Sequence, residues 1–202
     1  VAGVVSGGGL DLASLSALDV PVYRSGSYYL AMVGGDSTQT PVNSTQYATP
    51  FPIAQQGFPG IDRIGIEVIT AGEAGSTIRL GAIADDPVAG RFPKGAVIFD
   101  TVVNYSSSIN GASATRQEIT VNELVGYRGL VWLVFMVQNA PTTQPGVKMT
   151  SGYYGRGFGA KASDLSNLFS AGYKNEQTDT AITSFIEPPS STRAAKIFVR
   201  IK

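Results

Sequence analysis

Four side chains able to engage a ligand, Tyr153, Tyr154, Arg156 and Phe158, lie close together in the glycine-rich stretch SGYYGRGFG. Aromatic faces stack on sugar rings while Arg and Asn bind hydroxyls, the usual chemistry of carbohydrate recognition. Tyr105 and Asn110, in the Ser/Asn/Gly loop Tyr105–Ala114, form a second candidate group for a glycan or partner. The competing reading is burial of the aromatics under their own loop or against a neighbouring subunit, because glycine lets backbones approach closely. Asp85 and Asp86 offer oxygen ligands to a calcium ion. No spaced acidic ladder surrounds them, so a solvated turn is the default. The 15 acidic residues permit a paired-carboxylate glycosidase site, but no spacing among them argues for one.

Two absences restrict the chemistry further. The chain has no Cys and no His. A disulfide framework, a thiolate nucleophile, a Ser-His-Asp triad and a His-based metal site are therefore excluded. Lys+Arg and Asp+Glu are 15 each, and the basic residues are scattered. With zero net charge and no basic stripe, no nucleic-acid partner is expected. No run of 18 or more apolar residues suggests membrane insertion. No cofactor and no resident metal are expected.

These side chains need a scaffold, and the pattern of the chain is that of strands and turns. In IDRIGIEVITAGEAGSTIRLGAIADD, Ile64, Ile66 and Val68 alternate with Arg63, Gly65 and Glu67, and Ile78, Leu80 and Ala82 alternate with Arg79 and Gly81. Period-two alternation puts one face on a core and the other toward water. Ala71–Ser76 between them reads as a hairpin-like connection. Further strands are expected at Ser27–Val33, Gln46–Ala54, Ala96–Val103, Arg116–Leu124, Leu130–Val137, Thr180–Ile186 and Ala195–Ile201. Pro50 and Pro52 place Gln46–Ala54 at a sheet edge. Leu130–Val137, LVWLVFMV, has no polar face and must be covered on both sides, making it the central strand. Ala162–Phe169 fits one or two helical turns. Short strands evenly separated by turns indicate an all-β fold: an antiparallel β-sandwich of jelly-roll type over residues 27–202, preceded by an N-terminal arm over 1–26.

The run from Ile61 to Asp86, then QEITV, then GLVWLVFMVQNAPTTQP, resembles a domain of minor tail proteins of long-tailed bacteriophages. In that family a DRIG-like strand start, a TAG turn, an RLG strand ending in an acidic turn, a QEI strand and a W-L strand with a Q-x-A-P-T-like loop follow in the same order. The upstream TPFPIAQ is similar to that domain's first strand, so the resemblance covers about Tyr47–Gln144. It implies a β-sandwich displayed on the virion at a tail tip or fibre, usually trimeric, contacting the host envelope. It brings no catalytic residues.

The expectation is therefore a virion structural protein for host attachment rather than an enzyme. It would be a homotrimer among other virion proteins, with a host cell-surface glycan as its receptor. The alternatives are a capsid decoration or head-fibre protein that stabilises the particle and, further off, a glycan-degrading enzyme.

Overall fold

The computed structural model describes residues 23–31, 36–86, 93–150, 172–175, 179–185, 190–192 and 194–202. Among them the strands are β1 (Tyr28–Leu30), β2 (Asp36–Gln39), β3 (Gln46–Ile53), β4 (Ile61–Thr70), β5 (Thr77–Ala84), β6 (Val97–Asp100) and β7 (Ile109–Asn110). They continue with β8 (Arg116–Glu123), β9 (Gly129–Gln138), β10 (Gly146–Thr150), β11 (Gly172–Lys174), β12 (Ser190–Thr192) and β13 (Phe198–Ile201). One short helix, α1 (Thr101–Tyr105), follows β6.

The strands build two antiparallel sheets. The first runs β1-β13-β4-β10-β2, with β8 on β4; the second runs β12-β11-β3-β9-β5-β6, with β7 on β5. The alternating residues of both sheets meet in one core. Ile64, Ile66 and Val68 of β4, Ile119 and Val121 of β8, and Val199 and Ile201 of β13 face Leu80, Val131, Leu133, Phe135 and Val137. Burial of each such aliphatic side chain contributes about 1.5–3 kcal/mol relative to exposure. The expected antiparallel β-sandwich is the fold observed.

β9 is the interior strand expected from its composition. It pairs with β3 on one side and β5 on the other. Its second face carries Leu130, Trp132 and Val134, which pack with Ala48, Ile83, Ile182 and Phe185. The cover is thus the other sheet on one face and the segment 179–185 on the other. That segment is not the strand expected for Thr180–Ile186. Its backbone is held by side chains and single backbone bonds in place of a ladder: Ile182 N–H donates to Asp100 Oδ2 at 3.1 Å, Thr183 N–H to Gln46 Oε1 at 3.0 Å and Phe185 N–H to Pro93 O at 2.9 Å. Because it lies over β5, the face of β5 expected toward water is covered too, and Arg79 is buried. A Cβ on Gly81 would stand 2.6 Å from Ile182 Cδ1, so the glycine makes room for the covering segment.

Three other expectations need correction. β4 and β5 are not a hairpin but lie in different sheets, with Ala71–Ser76 arching across the sandwich. Alternation fixes which face of each strand is apolar; a hairpin and an arch present the same residues to the core. The arch is tied down from outside, by Gly72 N–H to Gly111 O at 2.9 Å and Glu73 N–H to Thr143 O at 2.9 Å. Ala96–Val103 is not strand throughout. Asp100 caps a helical turn, its Oδ1 accepting from Val102 N–H at 2.9 Å, and Ser106 ends the turn at φ 50°. Within Tyr105–Ala114, Ile109–Asn110 pairs with β5 as β7.

The proline reading of β3 holds for half the strand. Pro50 and Pro52 oppose Trp132 and Leu130 of β9, whereas the pairing with β11 involves only Tyr47 and Ala48. The prolines therefore sit where β3 has one partner strand among the described residues. At the C-terminus, Lys202 N–H donates to Gly60 O at 3.0 Å, so the last strand is tied into the fold. Tyr23 is buried, with its ring against Tyr29, Phe51 and Phe58. The remainder of the expected arm, residues 1–22, and the helical turns expected at 162–169 lie outside the described residues.

Candidate functional site

The outward face of the first sheet gathers residues that no single stretch of sequence brings together. Across β1, β13, β4 and β8 the register aligns Leu30, Phe198, Gly65 and Glu118 in one row and Tyr28, Arg200, Arg63 and Thr120 in the next. Gly65 makes the arrangement sterically feasible. A Cβ there would lie 2.3 Å from Phe198 Cζ and 2.4 Å from Gln117 O, so only glycine lets the Phe198 ring lie across β4. Tyr28 meets Phe198 edge-on at 5.9 Å between centroids. The Arg116 guanidinium stands over both rings, 5.1 Å from Phe198 and 5.7 Å from Tyr28.

These groups wall a cleft of about 340 Å³. One wall is apolar and aromatic, from Tyr28, Tyr29, Leu30 and Phe198; the other is charged, from Asp36, Glu67, Arg116, Lys148 and Lys196. Tyr28 and Leu30 are each 44% exposed, a large apolar area left open to solvent. Tyr28 is nonetheless fixed in place: its hydroxyl donates to Glu118 Oε2 at 2.9 Å, and Glu118 pairs with Arg63 at 3.3 Å. Arg200, also near the Tyr28 ring, forks onto Asp62 at 2.8 and 2.6 Å. A rigid aromatic platform with oriented polar neighbours suits recognition of a ring-shaped polar ligand.

The charges on the second wall are largely matched. Lys148 Nζ lies 3.1 Å from Glu67 and 3.2 Å from Asp36, and Lys196 also bonds Asp36. The hydrogen bonds from Lys196 and then Lys148 hold the Asp36 carboxyl below the usual carboxylate range. Those from Glu67 and Asp36 push the Lys148 amine up. Beside the cleft, the Arg200 fork likewise lowers Asp62.

Two lowered carboxyls set an expected acid limb. Each favours its charged form in the folded state, so its stabilisation is complete above the unfolded Asp value near 3.9 and is lost as pH falls through the lowered folded value. With no His, no side chain has its ordinary titration between pH 5 and 8. Urea midpoints should therefore be flat from pH 8 to 5 and fall below about pH 4. Changing Asp36 and Asp62 together to Asn should shallow that fall; an unchanged slope would assign it to other groups.

Of the site residues expected from sequence, Tyr153, Tyr154, Arg156 and Phe158 lie outside the described residues. Tyr105 and Asn110 are described, and neither lines the cleft. The Tyr105 hydroxyl donates to Glu123 Oε1 at 2.6 Å and accepts from Asn122 N–H at 2.9 Å, tying α1 to β8. Burial and then this bond to Glu123 raise its pKa. Asn110 Oδ1 accepts from Ala112 N–H at 3.0 Å, an Asx-type turn. Asp85 Oδ1 accepts from Trp132 Nε1 at 2.9 Å, so this carboxylate anchors the core tryptophan. Among the described residues no group of three or more Asp or Glu side chains is placed to hold a metal ion.

The cleft residues were missed because they come from β1, β2, β4, β8, β10 and β13 and from Lys196, two residues before β13. Two signals bear on them. Gly65 stands between Arg63 and Glu67 on an outward row, and Phe198 interrupts the apolar alternation of Ile197, Val199 and Ile201.

Fold and site together define an antiparallel β-sandwich with a mixed aromatic and charged cleft on one outer sheet face. No protein-family model matches the chain, and no curated protein matches it significantly.

Proposed function

We propose that this chain is a structural domain of a bacteriophage particle, displayed at a tail tip or fibre, that attaches the virion to a glycan on the host surface. The observation that carries the reading is the cleft. Tyr28 offers an exposed aromatic ring on the sheet, backed by the buried Phe198 and flanked by cationic and anionic side chains, a composition that suits a sugar site. The resemblance of Tyr47–Gln144 to phage minor tail domains supplies the virion context. Strand order adds support. With β2, β7, β10, β11 and β12 set aside, β1-β13-β4-β8 faces β3-β9-β5-β6, and the chain alternates between the two except at β5 to β6. This order supports reading the sandwich as an eight-stranded jelly roll, an architecture used by viral capsid and lectin domains.

The charges favour binding over catalysis. A glycosidase needs a carboxyl raised enough to act as an acid. Asp36 is shifted the other way, and its lysine partners also neutralise it. Attachment through one shallow sugar site is weak. Assembly as a homotrimer would strengthen it by as much as about 10²–10⁴ through multivalency.

The test combines location and competition. Labelled antibody should mark the tail tip of virions, and purified protein should block adsorption to host cells. Tyr28→Ala should weaken that block at least about tenfold with an unchanged melting temperature, since Tyr28 is part of an exposed stacking surface. Label at the head would instead favour the capsid-decoration reading. Turnover of host polysaccharide by purified protein would favour an enzyme.

A further inference from the structure

We propose that the ligand of this cleft is an anionic saccharide and that Arg116 is the residue that selects for its charge. The inference rests on the glycan-binding reading and deepens it by naming the class of sugar. Among the described residues five charged side chains line the cleft: Asp36 and Glu67 against Arg116, Lys148 and Lys196. The two acids are held by the two lysines. That leaves one positive charge in excess, and it resides on Arg116. Arg116 is exposed, and its guanidinium lies over the aromatic faces of Phe198 and Tyr28.

Stacking of this kind orients a guanidinium while leaving its edge donors available. Arg presents those donors as a planar fork that matches a carboxylate or phosphate. Tyr28 and Leu30 lie beside the fork, 44% exposed each, as an apolar surface for a sugar face. An acidic sugar satisfies both features at once: its ring covers the exposed apolar area, and its carboxylate or phosphodiester takes the Arg116 fork. A neutral sugar leaves the excess charge unmatched. A basic one meets repulsion from Arg116, with the nearby carboxylates already engaged by lysine.

The experiment is calorimetric titration of purified full-length protein with four probes: an oligogalacturonate, the matching neutral galactose oligomer, a glycerol-phosphate oligomer and inorganic phosphate. At least one of the two anionic oligomers should bind about tenfold or more tightly than the neutral one, the scale of one charge-assisted contact. Its affinity should weaken with salt. The oligomer preferred tells whether the anion is a carboxylate or a phosphodiester. Arg116→Gln should abolish the preference for charge without moving the melting temperature, Arg116→Lys should restore only part of it, and Tyr28→Ala should weaken charged and neutral oligomers alike. Equal binding of neutral and anionic oligomers, or an Arg116→Gln variant that keeps the preference, overturns the proposal. So does binding of inorganic phosphate as tight as that of the oligomers, which would mark a simple anion site. If none of the oligomers binds while labelled antibody still marks the tail tip, the saccharide inference fails and the attachment reading stands. If an anionic oligomer binds but the label lies at the head, the converse holds.

Discussion

Trp132→Ala is expected to lower stability by about 3–5 kcal/mol, the cost of emptying a large buried aromatic site. Trp132 is 1% exposed and packs among Ala48, Ile83, Val134, Ile182 and Phe185. Its cluster is what joins the irregular segment 179–185 to the second sheet, so the cavity would open at a boundary with few other apolar contacts. For a domain of this size about 2–4 °C of melting temperature accompanies each kcal/mol, so a fall of about 6–20 °C should be visible by calorimetry. Trp132→Phe separates packing from polarity. It keeps most of the ring volume and loses the Nε1–H donor to the Asp85 carboxylate, so it should cost about 1.5–3 kcal/mol. Near-equal losses in the two variants would mean that the hydrogen bond, not the volume, holds this side of the sheet. An unchanged melting temperature for Trp132→Ala would contradict the burial itself.

The same residue shows how far sequence reasoning reaches. LVWLVFMV lacks a polar position, and burial on both faces follows from that alone. What supplies the second cover does not follow. Ile182 and Phe185 do so from a segment whose apolar residues resemble a strand but whose N–H groups end on Asp100, Gln46 and Pro93. Alternation in Ile61–Asp86 located both inward faces correctly and left the sheet partner open, because pairing depends on where an arch crosses the core. The candidate site was less legible still. Exposed aromatics in a glycine-rich loop attract notice in a sequence. Tyr28, Arg116 and Phe198 are far apart along the chain, and only the register of four strands makes them neighbours. The row Arg63, Gly65, Glu67 was visible as outward, but the need for glycine appears only when the Phe198 ring is seen to cross it.

Arg79 and Asp100 are expected to be the most sensitive charged positions. Arg79 Nε lies 3.2 Å from Asp100 Oδ1 with side-chain exposures of 9% and 4%. That nitrogen is buried and not aligned for a hydrogen bond, so the contact acts as charge against charge. Around it the pair organises backbone: Arg79 Nη1 donates to Thr180 O at 2.5 Å, while Asp100 accepts from Val102 N–H and Ile182 N–H. Arg79→Met removes the cation and leaves a buried carboxylate uncompensated, at a cost of about 3–5 kcal/mol. Adding Asp100→Asn neutralises that carboxylate and keeps one oxygen for the N-cap of α1, while Ile182 N–H loses its acceptor. The double variant should therefore be more stable than Arg79→Met alone, the non-additivity expected of a coupled pair. The readout is direct, since Trp132 is the only tryptophan in the chain and lies beneath the segment that Arg79 and Asp100 hold down. In Arg79→Met its emission should shift to the red below the global urea midpoint, as 179–185 lifts from the sheet, and in the double variant, where Ile182 N–H also lacks its acceptor, that early shift should persist. Strictly additive losses, or an emission change only at global unfolding, would show that the pair stabilises the sandwich as a whole and does not latch this segment.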